Sequence, residues 1–250
     1  MFPAKLLNSI FPKSLLATHC SVNRLAYQSL KDAAPNLHLP HLQTINYFEG
    51  MNGVDGLWLN NRQLPSRSTY NPITEQGSGL EEFEYQLQAL GHAHSLRKYL
   101  RTARRMAYVS HLVTDLCTPP HQHGHLVDIR RKRWYWFWNI RDDWYEKHVE
   151  RYAVDRHTLF EMKALWHLPQ SGFTPLPLQV DIIAAAKTEP NYIPTAVDHM
   201  RNSVRYIRGL NIYYEYIKQG WTDTVQQKML NDVMPRIVSS VATFWYLALR

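Results

Sequence analysis

Pro119-Pro120 sets a hard boundary in this chain. Neither ring offers an N–H, and the second proline bars the first from the helical region, so a helix that reaches Cys117 has to stop. The residues before it, "RRMAYVSHLVTDL", have helical composition and spacing. His111 and Asp115 are four apart there, which puts an imidazole and a carboxylate on one face, one turn apart, able to converge on one ion. Beyond the prolines the chain turns, and His121 comes back toward the helix end. A lone His–Asp pair commonly does no more than stabilise a helix. Four histidines and an aspartate between His111 and His125, organised by a double proline, favour a metal site instead. Neutral imidazole with carboxylate suits Zn²⁺.

Helical signals dominate the rest. Segments 17–33, 79–117, 141–167, 177–187, 194–219 and 222–249 carry apolar residues at spacings of three and four. Breakers separate them: Pro35, Gly77 and Gly79, the double proline, "LPQSGFTPLP", Pro190 and Gly220. The stretch 49–78 is too long for a simple connector, and its Trp, Leu and Tyr content predicts a packed, functional loop. The expectation is one all-α domain over residues 1–250, a helical bundle. The apolar run 237–249 is too short to span a bilayer and reads as a buried helix. In "MFPAKLLNSIFPKSLLATHC", Asn8, Ser9, Pro12 and Lys13 break the apolar run needed for export, so a cytoplasmic or peripheral-membrane protein is expected, with export as the alternative. Two cysteines, Cys20 and Cys117, make no disulfide framework and leave a single bridge open. The net charge of +7 favours anionic partners without choosing among them.

The pattern His-x3-Asp-x3-Pro-x-His, here His111, Asp115, Pro119 and His121, resembles the signature of the zinc-dependent phospholipase C family, which shares its fold with the P1-type nucleases. "THCSVNRLAYQSL" is similar to that family's first metal-binding helix, with His19 in the ligand position, and "DDWYEKHVERY" to the helix that supplies the last carboxylate, here Glu146. "SRSTYNP" resembles the loop before the long central helices, and the final helix has the family's small and aromatic texture. Only the segment around His111 is specific by itself; the others gain force from their order.

The resemblance implies an all-α bundle of the phospholipase C/P1 nuclease type holding two or three zinc ions. Asp115 would bridge two of them, with His111 on one and His19 on the other. His121, Glu146 and Asp142 would serve the third, and Asp55 would be the carboxylate from the long loop. Asp55 and Asp115 would then be the catalytic carboxylates, supporting phosphate-ester cleavage by zinc-activated hydroxide. The chain departs from the family at Ser68, where a histidine is expected and serine is a poor zinc ligand, and at Asp142, where aspartate replaces histidine. It also carries eighteen residues before His19, where secreted members begin closer to that histidine with a ligand of their own. His125 is the nearest spare donor; Cys20 points about 100° from His19 on the same helix. His92, His94, His123, His148 and His157 read as structural or solvated.

Between His121 and Asp142 runs "DIRRKRWYWFWNIRDD", where Arg130, Arg131, Lys132 and Arg133 precede Trp134, Tyr135, Trp136, Phe137 and Trp138. That composition suits peripheral contact with an anionic membrane, nucleic acid by stacking and phosphate pairing, or simply a helix lead-in with buried rings. The expected function is hydrolysis of phospholipid head groups by a phospholipase C-like enzyme. A P1-type nuclease or nucleotidase and a non-catalytic metal-binding relative are the alternatives.

Overall fold

The computed structural model describes residues 12–49, 53, 68–122, 159–160, 163–164, 177–188 and 191–250, and these are helical apart from short connections and one isolated bridge between Asn71 and Gln76. Helix α1 spans Pro12–Ala33 and begins at a proline, whose fixed φ and missing N–H suit a first turn. Its buried stripe runs through His19, Asn23, Ala26 and Leu30, at the spacings that define one helix face. The short α2, Leu42–Glu49, buries Ile45 and Glu49 one turn apart, and Asn23 Nδ2 donates to Asn46 Oδ1 at 3.3 Å, tying α2 to α1.

Helices α3 (Gly79–Ser95) and α4 (Tyr99–Cys117) form a hairpin. The apolar pattern runs straight through 79–117 and predicts one helix, but the chain breaks at Leu96–Lys98. Arg97 adopts φ 53°, and the N–H groups of Leu96, Arg97 and Lys98 close back on the carbonyls of His92, His94 and Ala93. No glycine or proline marks this turn, so nothing local announces it; packing of the two apolar faces on each other decides it. His92 and His94 therefore end α3 and do not begin the helix that carries His111.

The C-terminal half contains α5 (Val180–Thr188), α6 (Ile193–Gly209), α7 (Ile212–Gln219), α8 (Asp223–Lys228), a π-turn over Met229–Val233, and α9 (Met234–Leu249). The single helix expected over 194–219 is thus divided at Asn211 with φ 55°, whereas the one expected over 222–249 is continuous from Asp223 to Leu249, with the wider π-turn inside it. Helix α9 is buried almost all round and packs on α1, α3 and α4, the expected place for a helix without a polar face. Trp245 Nε1 donates to the Met106 carbonyl at 3.0 Å, pinning α9 to the middle of α4. No helix among the described residues is long and apolar enough to cross a membrane.

Both cysteines are free thiols, so the bridge left open by the sequence is not formed. Burial, then the nearby Glu49 carboxylate, pushes Cys20 up to about 11, and burial against a weaker opposing effect of Arg236 pushes Cys117 up to about 12. Neither is a ready thiolate.

Two positions yield sharp expectations. Gly77 has φ 119°, and a Cβ there would lie 2.3 Å from the Thr69 carbonyl oxygen. Gly77→Ala should cost at least ~2 kcal/mol and lower Tm by on the order of 5 °C; an unchanged melting curve would mean that this turn relaxes freely. His199 lies between Ser203 Oγ at 3.2 Å and Ser240 Oγ at 3.5 Å. Burial, then Arg236, lowers it from 6.5 to about 4 against a partial opposing effect of Asp181. Between those values the unfolded chain binds the extra proton, so the contribution is complete above the upper value and is lost as pH falls toward the lower one. Denaturation at pH 7 and pH 5 should differ by about 2 kcal/mol more in the native chain than in His199→Gln.

Candidate metal centre

Three helices deliver the central side chains. His19 comes from the buried stripe of α1, Glu49 from the last residue of α2, and His111 and Asp115 from successive turns of α4; each is at most 6% exposed. The end of α4 is held by its own polar side chains. Thr114 and Thr118 hydroxyls donate to the carbonyls of Ser110 and Thr114, the Thr118 N–H to Asp115 O, and Gln122 Nε2 to Leu116 O. Three of the four carbonyls that the helix end leaves open, those of Thr114, Asp115 and Leu116, are thereby satisfied. The prolines then form a 3₁₀ turn, Pro119–His121, with the His121 N–H on Thr118 O at 3.0 Å. This carries His121 back over the helix end, as the double proline predicts.

The imidazoles of His19 and His111 stack with ring centroids 4.4 Å apart and planes 20° from parallel. A carboxylate faces each edge of the stack. On one side Glu49 Oε1 lies 2.9 Å from His111 Nδ1 and 3.5 Å from His19 Nδ1. On the other, Asp115 Oδ2 lies 3.2 Å from His111 Nε2, and Asp115 Oδ1 lies 3.6 Å from His19 Nε2 and 3.6 Å from His121 Nε2. An ionised carboxylate only accepts, and His111 faces one at each ring nitrogen, Glu49 at Nδ1 and Asp115 at Nε2, so a cation taken up at Nε2 would leave the ring proton on Nδ1 facing Glu49.

The two separations of 3.6 Å are too long for hydrogen bonds. They suit a different relation: with bonds of about 2.0–2.1 Å, two ligands of one tetrahedral zinc stand about 3.3 Å apart. His19, His111 and Asp115 each present a donor atom within 4.8 Å of the others, a buried group that could hold a metal ion. Charge supports the fit. No lysine or arginine among the described residues lies within 4 Å of Glu49 or Asp115; their only ion-pair partners are histidines. With neutral imidazoles the pocket carries two uncompensated negative charges, which a divalent cation would cancel. Glu49 Oε2 is buried and has no hydrogen-bond partner among the described residues. Burial by itself would raise the Asp115 carboxyl, but His111, His121 and His19 when protonated, with the hydrogen bond from His111, outweigh it and hold Asp115 well below the usual carboxylate range.

Of the expected site residues, His19, His111, Asp115 and His121 come together. Asp55, Asp142 and Glu146 lie outside the described residues, as do His123, His125 and the whole 130–138 segment. Ser68 is buried beside the start of α3. Glu49 is the residue that the sequence reading missed, since it was counted with the irregular stretch 49–78 while 42–49 is helical. One clue was available: a carboxylate at the C-terminal end of a helix sits against the negative end of the dipole, where it needs a reason to be. Gly53 sits tightly against the end of that helix. A Cβ on Gly53 would meet the carbonyl oxygens of Phe48 at 2.4 Å and Glu49 at 2.6 Å.

Glu49→Gln should therefore weaken zinc binding about 10–100-fold while leaving the helical content intact, read by competition with a chromophoric chelator and by circular dichroism. Equal affinity in both proteins would remove Glu49 from the centre. Set against family models, curated proteins and solved structures, the chain finds no match in any of the three.

Proposed function

We propose that this chain is a zinc-dependent hydrolase of phosphate esters, phospholipase C-like, acting on phospholipid head groups. The observation that carries the reading is the convergence of three imidazole Nε2 atoms on one buried carboxylate that no lysine or arginine among the described residues compensates. His19, His111, Asp115 and His121 would hold the metal; Asp142, Glu146 and Asp55 would add further ligands on the strength of the family likeness. A divalent cation bound there would neutralise charge on phosphoryl oxygens and acidify water.

The chain's own contributions follow from its contacts. Glu49 would hold the His111 proton on Nδ1 when a metal ion takes Nε2. Asp115 stays ionised because three imidazoles face it. Burial of all four central groups keeps competing water away from these interactions, so each is stronger than it would be at the surface. The net charge of +7 favours approach of a phosphate-bearing substrate.

The test pairs composition with turnover. Protein purified without added zinc should carry two or three ions per chain by elemental analysis. It should release phosphocholine from a choline-phosphate ester faster than it cuts single-stranded DNA. Asp115→Asn should lower that rate by ~100-fold or more, since removing a metal ligand forfeits several kcal/mol of charge stabilisation. Preferential cutting of DNA would move the assignment to a nuclease. Two intact substrates with zinc supplied would leave a binding protein and end the hydrolase reading.

A further inference from the structure

The α3–α4 hairpin carries a second concentration of charge, away from the metal centre. A cleft of about 600 Å³ lies between the last turns of α3 and the first turns of α4. Arg101, Arg104 and Arg105 line it from α4, Lys98 from the turn just before, and Tyr85 and His92 from α3. Lys98, Arg101 and Arg105 follow one another at spacings of three and four, with Arg104 next to Arg105, so the four form one stripe about 10 Å long along the start of α4. No acidic residue among the described residues lines the cleft. Glu82 and Glu84, on the first half of α3, accept instead from Gln86 and Gln88 of the same helix. No carboxylate among the described residues comes within ion-pair distance of any of the four cations.

Two of the guanidinium groups are held in place without being neutralised. Arg105 Nη1 donates to Gln86 Oε1 at 2.5 Å, with its Cζ 5.6 Å from the Tyr85 ring centre. Arg104 Nη2 donates to the Tyr108 hydroxyl at 3.3 Å, with its Cζ 5.3 Å from that ring centre. Neutral partners fix direction and leave the charge for something else. The positive end of the α4 dipole adds to the same field. Four like charges beside one another in a concave surface repel, and the concavity focuses their field on whatever enters.

We infer that this cleft is a binding site for an anion with clustered phosphates. Guanidinium forks match phosphate oxygens in pairs, and a stripe of this length meets two or more adjoining phosphates better than one. The shared chemistry is a short run of phosphates, either free in solution as polyphosphate or displayed on a multiply phosphorylated lipid head group. The inference does not depend on the hydrolase reading, because the stripe is separate from Asp115 and none of its members belongs to the metal cluster.

The experiment measures anisotropy of a fluorescein-labelled tripolyphosphate on the full chain, beside Arg101→Gln/Arg104→Gln/Arg105→Gln and Asp115→Asn. Circular dichroism checks that each variant folds. The triple variant should bind at least tenfold more weakly, whereas Asp115→Asn should match the native chain even though phosphate anions also seek bound cations. Orthophosphate at equal concentration should compete poorly. Flotation with vesicles containing a bisphosphorylated inositol lipid then separates the sources. Capture that tripolyphosphate reverses assigns the lipid, and binding in solution without capture assigns free polyphosphate. Native affinity in the triple variant overturns the inference, and so does loss of binding in Asp115→Asn alone.

Discussion

Two carboxylates, Glu49 and Asp115, are buried on opposite edges of a stacked imidazole pair, and among the described residues only histidines answer them. Unpaired charge in an interior costs several kcal/mol, and nothing in ordinary helix packing would gather these groups there. Positive charge must reach them, as protons on the imidazoles or as a metal cation in their place. Zinc binding would therefore compete with protonation of the same rings, which couples the centre's occupancy to pH and to folding. Helices α1, α2 and α4 have to meet for the arrangement to exist at all, so the site and this part of the bundle are one structure.

The bundle supplies rigidity on the side facing away from the centre. Helix α9 fills the space between α1, α3 and α4 with apolar side chains on nearly every face. Its buried hydroxyls are tied to the preceding segment: Ser239 Oγ donates to Pro177 O at 2.7 Å, and Thr243 Oγ1 accepts from the Gln179 N–H at 3.0 Å. Trp245 then fastens α9 to α4 at Met106, close in sequence to the histidine that begins the metal motif. Interiors packed at crystal-like density transmit displacement poorly tolerated at ligand positions, so a core of this kind holds donor atoms in place.

One helix, α4, thus presents two chemistries. Its N-terminal turns carry guanidinium groups that no carboxylate among the described residues pairs, and its C-terminal turns carry donors for a cation in the interior. The division follows the backbone's own field, because the helix start is the positive end of its dipole and the helix finish the negative end. Phosphate would be attracted to the first and a metal ion to the second. A chain built to handle phosphate-bearing molecules has use for both, and the excess of basic residues over acidic ones is consistent with that.

His111, Asp115 and His121 could be read directly, because a helical spacing and a double proline fix their relative placement through local geometry alone. The predominance of helix was legible for the same reason: periodicity and composition act over a few residues. His19 was reachable only by likeness to a known motif, since no local rule relates it to a residue ninety positions away. Glu49 was not reachable. Its role comes from α2 docking across α4, a contact with no periodicity to announce it. The break at Arg97 escaped as well, because its side chain does not advertise the left-handed backbone it adopts; Asn211, of a type that favours that region, did carry a local signal. The sequence determined which side chains can bind a cation and the short-range order in which α4 offers them. Folding determined that two distant carboxylates and a distant imidazole share one buried volume, because burial and charge compensation are properties of the packed bundle and of no single segment.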